Sequence, residues 1–406
     1  MRKLLPGDAL DAFLPLFAFF LFFSVTGIEA SLLACTAVLL WRAKQAGALR
    51  ALAASLPAHP LFFPWTVFLG ACLLTALTAY DTGRALGQLN SDLLRYVCFA
   101  TLMLAVSFRH LPRLSLAYAA GAAVSGFIGI GQVLKVFPIN RPPLELRAGG
   151  FMNPVRYGEV MALASAFLAA KLLYPERNSR RENVFYAVAG VFAFAGLVLS
   201  QTRGAYLGFT VFLALAFLFA RGRRLRALGL AAAMAVIAFG CTLINPKIAG
   251  RAAVVETRAG QGEVVEEAVG LRLQLWQVGW AMFRDHPVLG VGPDNIKPLF
   301  TKYKPDLIGN AKWGSMHNLY LQHAAERGLL GLGAVLALFL SFSVYAYRAL
   351  RRVASPYALW AACALPGYFV MNLTENSFQH VHTSFAALLA LALAAAASSG
   401  EEKAKL

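Results

Sequence analysis

The sequence predicts an all-α integral membrane protein with about 12 transmembrane helices and one large outer loop that contains an amphipathic helix. Three observations carry this. Of the 406 residues, 59% are hydrophobic and only 14% are charged. The apolar residues gather into runs that repeatedly approach the roughly 20 residues needed to cross about 30 Å of hydrocarbon. The basic residues then divide unevenly between the gaps, as Lys and Arg do when they set the orientation of a membrane protein.

Taken in order, the first spans lie near residues 10–27, 28–41, 61–79, 91–107 and 113–136. The next lie near 157–174, 184–200, 204–220 and 226–244, and the last near 326–347, 356–373 and 382–398. The second is short, and the two that flank Arg203 have almost no loop between them. The chain thus divides into spans 1–9 over residues 1–244, a large outer loop over 245–315, and spans 10–12 with a polar tail over 316–406. A signal peptide over 1–27 fits less well, because no small-residue cleavage site follows and the apolar runs continue. Cys35, Cys72, Cys98, Cys241 and Cys363 all fall inside apolar runs, so they read as small packing residues and form neither a disulfide framework nor a zinc site.

Charge supplies orientation. With this count of spans, 20 of the 37 Lys and Arg lie in the short segments on the side of the N-terminus, Arg42, Lys44, Arg223 and Arg351 among them. The short loops opposite hold Arg84, Arg95, Lys135, Arg141, Arg147, Arg156 and Arg203. Both termini are therefore expected in the cytoplasm. Anionic lipid headgroups account for the net charge of +17, and no nucleic-acid partner is needed.

The long outer segment is the natural place for function. Within it, Glu263 to Phe283 reads as an amphipathic helix, with Val265, Val269, Trp276, Trp280 and Phe283 near one stripe. Such a helix can lie in the interface and roof a cavity, or pack against the other loops. Arg141, Arg147, Arg156, Arg203 and Arg272 have no topological reason to be on this face. Arg203 stands at the edge of hydrocarbon, where a guanidinium is costly unless it is paired or lines a wet cavity. Guanidinium is also the preferred bidentate partner of phosphate, so a pyrophosphate clamp and snorkelling to headgroups are both open readings.

His317 follows Ser315, a plausible N-cap, and would then sit in the first turn of a helix. The positive end of a helix dipole favours a neutral ring, able to take a proton, although a structural histidine has the same pattern. His317 and His323 are six apart, and His380 and His382 two apart, so neither pair has helical metal-ligand spacing. No Asp-x-Asp stands at an outer loop, so no metal or other cofactor is expected. Glu145, Glu159 and Glu375 are read as orienting groups, and Glu326 as too distant from His317 to orient its ring.

The turn Gly149-Gly150-Phe151-Met152-Asn153-Pro154 is similar to a signature of the O-antigen ligase/polymerase superfamily. So are Ser200 to Gly204, Arg272 to Trp276 with His286 to Gly292, and His317-Asn318 with Glu326-Arg327-Gly328. The resemblance runs from about 145 to 345, and within the superfamily the chain looks most like an O-antigen ligase. It implies a bacterial inner-membrane enzyme of lipopolysaccharide assembly with a periplasmic site. The donor would be O-antigen polysaccharide on undecaprenyl pyrophosphate, and the acceptor a sugar hydroxyl of lipid A-core. The resemblance assigns His317 as the functional histidine and Arg203 and Arg272 as functional arginines, with Arg147 at a position that is also basic. His317 is then expected to deprotonate the acceptor while Arg147, Arg203 and Arg272 hold the departing pyrophosphate, with inversion at the anomeric carbon. A polymerase of lipid-linked oligosaccharides would use the same parts. Transfer to a protein hydroxyl is disfavoured by the compact size, and a lipid-linked sugar transporter by the lack of an internal repeat.

Overall fold

A computed structural model of the protein describes residues 9–138, 147–220, 222–246, 248, 267–303 and 312–405, and every regular element among them is helical. Each of the twelve predicted spans has its helix. The first group is α1 (Leu10–Phe20), α2 (Val25–Gln45), α3 (Leu49–Ser55), α4 (Phe62–Leu77), α5 (Thr82–Ala105) and α6 (Leu111–Val133). Then come α7 (Pro154–Leu173), α8 (Arg180–Leu199), α9 (Arg203–Phe219) and α10 (Arg224–Ile244). A lobe after α10 contributes α11 (Glu267–Asp285) and α12 (Ile296–Tyr303), and the chain continues through α13 (Leu319–Arg352), α14 (Pro356–Met371) and α15 (Val381–Lys405). Among the described residues, six helices are long and apolar enough to cross a membrane, and α1, α4 and α9 are apolar but shorter. This is a multi-pass integral membrane protein.

The helices sort by what surrounds them. α10 buries only Cys241 and turns Leu225, Val236, Phe239 and Leu243 outward, a surface that suits lipid and not water. α7, α14 and α15 form the centre, and their alanine-rich faces let backbones approach. At the α9–α14 crossing, a Cβ on Gly208 would stand 2.5 Å from the Gly367 carbonyl oxygen, so both positions need glycine. In lipid, where burying apolar surface brings little gain, close packing of this kind is what holds helices together.

Three expectations are corrected. Ser24 caps α2 by accepting from the Gly27 amide at 3.2 Å, so the second span is the longer one and α1 has only 11 residues. Arg95 does not lie in a loop. Asp81 caps α5 at the Arg84 amide, which starts the helix well before the apolar run and places Arg95 buried inside it. The stripe chosen for the amphipathic helix is not its buried face. Leu275, Val278 and Met282 pack with Val291, Ile296, Phe300 and Met316 to form a separate core for the lobe, while Trp280 is 54% exposed. Of the predicted stripe, Val265 lies outside the described residues.

The lobe locks onto the bundle at a break in α13. Gly328 has φ 60°, ψ −160°, which interrupts the helix where it is buried and unpaired backbone groups are costly. The turn at 286–292 fills the gap. The Val291 and Gly292 amides donate to the Ala325 and Glu326 carbonyls at 3.0 and 2.8 Å, and the Leu329 amide donates to the Pro287 carbonyl at 2.8 Å. Gly290, at φ 68°, passes so close to Glu326 and Arg327 that a side chain would collide with their backbone. These two sequence motifs are one interlocked joint.

Candidate active site

The site is assembled from the segment before α13, the segment between α14 and α15, and α11. Met316 is fully buried beneath α11, where Gly279 leaves room for its sulfur and Trp276 Nε1 donates to its carbonyl at 2.9 Å. His317 follows in the left-handed region at φ 47°, uncommon for a residue with a Cβ. Its amide donates to Ser315 Oγ at 3.1 Å, and the helix is capped one residue later, by Asn318 accepting from the Leu321 amide. The expected Ser315 cap is thus replaced by Asn318, and His317 stands just outside the helix and not in its first turn. The left-handed backbone at His317, which no spacing pattern signals, shifts the cap.

Opposite lies the 372–379 segment, laced to the first. The Leu319 amide donates to the Asn372 carbonyl at 2.9 Å, and Asn376 Nδ2 donates to Ser315 Oγ at 3.1 Å. Arg95 grips the segment from behind, donating through Nε to the Phe378 carbonyl at 2.7 Å and through its second amino group to the Gln379 carbonyl at 2.6 Å. So held, Glu375 reaches His317 Nδ1 with Oε2 at 2.8 Å and Arg272 with Oε1 at 2.5 Å. Arg272 and His317 leave 33% and 32% of their side chains exposed, against 7% for Glu375. Burial alone would raise the Glu375 carboxyl, but the hydrogen bonds and charges of His317 and Arg272 hold it below the usual carboxylate range. An ionised carboxylate on Nδ1 fixes the proton there and leaves Nε2 as the acceptor.

The four sequence-selected residues divide. His317 and Arg272 are joined through Glu375. Arg203 opens α9 exposed, and its neighbour Gly204 fits so closely against Thr374 that a Cβ would meet the hydroxyl. Arg203 is thus brought to the turn that carries Glu375. Arg147 is engaged elsewhere: Nε donates to the Ser200 carbonyl at 2.8 Å and an amino group to Thr202 Oγ1 at 3.3 Å, bracing the turn from which Arg203 springs. Arg141 and Glu145 lie outside the described residues. As expected, Glu326 does not reach His317; it accepts from Gln322 Nε2 and the Asp294 amide. Glu375 matters more than its sequence setting suggested, because its partners are distant in the chain. Asp92 and Arg95 were not singled out, though an acid and an arginine three apart beside an apolar run are a usable signal.

Beside His317 opens an apolar groove of about 600 Å³, lined by Trp280, Phe283, Asn318, Tyr320, Leu321 and Phe369 among others. Among the described residues, no three His, Cys, Asp or Glu side chains cluster as a metal ion would require.

Fold and site define a class: an integral membrane protein in which an imidazole–carboxylate pair is set against arginines beside an apolar groove. Residues 188–336 match the family described as O-Antigen ligase, a match over less than half of the chain that supports membership of the O-antigen ligase superfamily. The matched region contains Arg203, Arg272 and His317 but neither Arg147 nor Glu375. An uncharacterized protein of Haemophilus influenzae is also similar, at 23% identity over 254 residues that cover 53% of this chain and 62% of that relative.

Proposed function

We propose that the protein transfers O-antigen polysaccharide from undecaprenyl pyrophosphate to a sugar hydroxyl of lipid A-core. The site would face the periplasm of a bacterial inner membrane crossed about 12 times, with both termini cytoplasmic, as the distribution of Lys and Arg supports. The observation that carries the reading is the His317–Glu375–Arg272 arrangement beside the apolar groove.

In this reading His317 Nε2 takes the proton of the acceptor hydroxyl as its oxygen attacks the anomeric carbon. The bond from that carbon to the pyrophosphate oxygen breaks, undecaprenyl pyrophosphate departs, and configuration inverts. Glu375 holds the ring and stabilises the imidazolium that forms. Arg272 commits part of its guanidinium to Glu375, and its remaining N–H donors, with those of Arg203, receive the pyrophosphate charge. Arg147 contributes by fixing the Ser200–Thr202 turn. The groove suits the polyprenyl chain. Pyrophosphate is already a good leaving group and arginines meet its charge, so no metal ion is invoked. The test uses purified protein, undecaprenyl-pyrophosphate-linked glycan and lipid A-core in a chelating buffer. Glycan on lipid A-core is the expected product. Longer lipid-linked chains with unmodified core would make the protein a polymerase, and transfer that stops in chelator would overturn the metal-free route.

A further inference from the structure

A second cavity, of about 590 Å³, opens at the N-terminus of α7, and the proposed chemistry does not use it. Its walls come from the α1–α2 corner at Phe23 and Ser24, the end of α6 at Gln132, the 149–154 turn, and the start of α15 at His382. Arg147, Arg156 and His382 reach it, and among the described residues no carboxylate lines it. Arg156 is exposed and has no hydrogen-bond partner among the described residues. The carboxylate next along α7, Glu159, is fully buried and bonded by Ser377 Oγ. His382 donates Nδ1–H to the Leu21 carbonyl at 2.8 Å, which leaves Nε2 as an acceptor for a phosphate hydroxyl.

The floor is built in advance. Gln132 Oε1 accepts from the Gly149 and Gly150 amides at 3.1 and 2.8 Å, and its Nε2 donates to the Gly150 carbonyl at 2.7 Å. Asn153 caps the 20-residue α7, whose positive end adds to the field of the two arginines. At the mouth the rings of Phe23 and Phe151 lie 5.7 Å apart, and Phe151 is 53% exposed, so an apolar rim borders a cationic interior. That combination suits an anion carried on a lipid.

The cavity is joined to the site by a single segment. Leu373 lines the groove beside His317, His382 lines the second cavity, and Glu375 lies between them. We propose that this cavity binds the phosphate group of a second membrane-borne substrate, a phosphate-bearing amphiphile that approaches the acid–base pair from the side away from the groove. The assignment of that amphiphile as the acceptor rests on the transferase reading. Binding of phosphate does not.

The test places the full-length protein in phosphatidylcholine nanodiscs doped with dioleoyl phosphatidic acid and measures retained lipid by native mass spectrometry. Wild type and R156K are expected to hold phosphatidic acid over phosphatidylcholine, R156Q to hold it about tenfold more weakly, and R156E more weakly still, in line with one lost charge-assisted contact. H317A is expected to bind it as wild type does. Displacement by inorganic phosphate would identify phosphate itself as the group held, and resistance to displacement its lipid-borne form; either supports the site. Equal retention in wild type, R156Q and R156E would overturn it. In the transfer assay R156Q is expected to raise KM for the acceptor without changing KM for the donor. Transfer that survives H317A would sink the transferase mechanism while leaving the binding result intact.

Discussion

Two clusters built from the same kinds of side chain grip the 372–379 segment from opposite sides, and they behave as opposites. In one, Asp92 takes Arg95 at 3.0 Å and Arg327 at 2.6 Å, with all three side chains no more than 3% exposed. In the other, Glu375 takes Arg272 and His317, and both partners keep about a third of their surface open. The carboxylate is buried in each case, so what differs is whether the cationic partners have donors or acceptors within reach of another molecule. Arg95 commits its guanidinium to Asp92 and two loop carbonyls, whereas Arg272 and His317 each hold donors or acceptors in reserve. A sealed cluster is structure; an open one can meet a substrate.

That contrast predicts separable losses. The largest is expected from His317→Ala, which should cut transfer by about 10²–10⁴-fold in kcat while the melting temperature stays close to wild type. A protein that unfolds instead would make His317 a structural residue and erase the contrast. Arg327→Met leaves Asp92 short of a buried partner and is expected to cost about 3–5 kcal/mol, read as a lower melting temperature. If stability is unchanged, the inner cluster is not the anchor described here.

Glu375→Gln sharpens the comparison, because it keeps the shape and removes the charge. It should reduce kcat by less than His317→Ala does, since the base remains and only its orientation and charge stabilisation suffer. Its stability effect carries a sign. The carboxyl is held below its ordinary 4.5, so the bridge contributes fully above about that pH and is lost as pH falls through the lower folded value. The gap in melting temperature between wild type and Glu375→Gln should therefore be constant near neutrality and close in acid; a gap unchanged down to pH 3 would deny the ionised bridge. The smallest effect is expected from Arg272→Lys, which keeps the charge but loses the planar fork, so donor KM should rise by about tenfold or less. No change in donor KM would remove Arg272 from the pyrophosphate.

The same contrast explains what could be read from the sequence. The helices were legible because hydrocarbon thickness imposes a length on apolar runs, and each predicted span has its helix. His317 and Arg203 drew notice because polar residues at the edges of such runs are few, and Arg272 because it stands in the long loop; folding joins His317 and Arg272 through Glu375. Glu375 was visible only as one acid among several, since its link to His317 is made by folding across 58 positions. The packing face of α11 was misjudged because tryptophans serve a lipid-facing groove as readily as a protein core. Arg147 was grouped with the other arginines by charge, yet folding turns its guanidinium onto backbone, a role that no pattern of basic residues distinguishes.

The interruption at Gly328 bears on how the molecule is made. The amides beyond it find their acceptors at Pro287 and Val288, on a lobe synthesised earlier, so α13 becomes a complete bilayer element only when that lobe folds back upon it. Biogenesis is thereby ordered in time. The lobe has no anchor until the later helix is made, and Arg272 can join His317 and Glu375 only after the two have met.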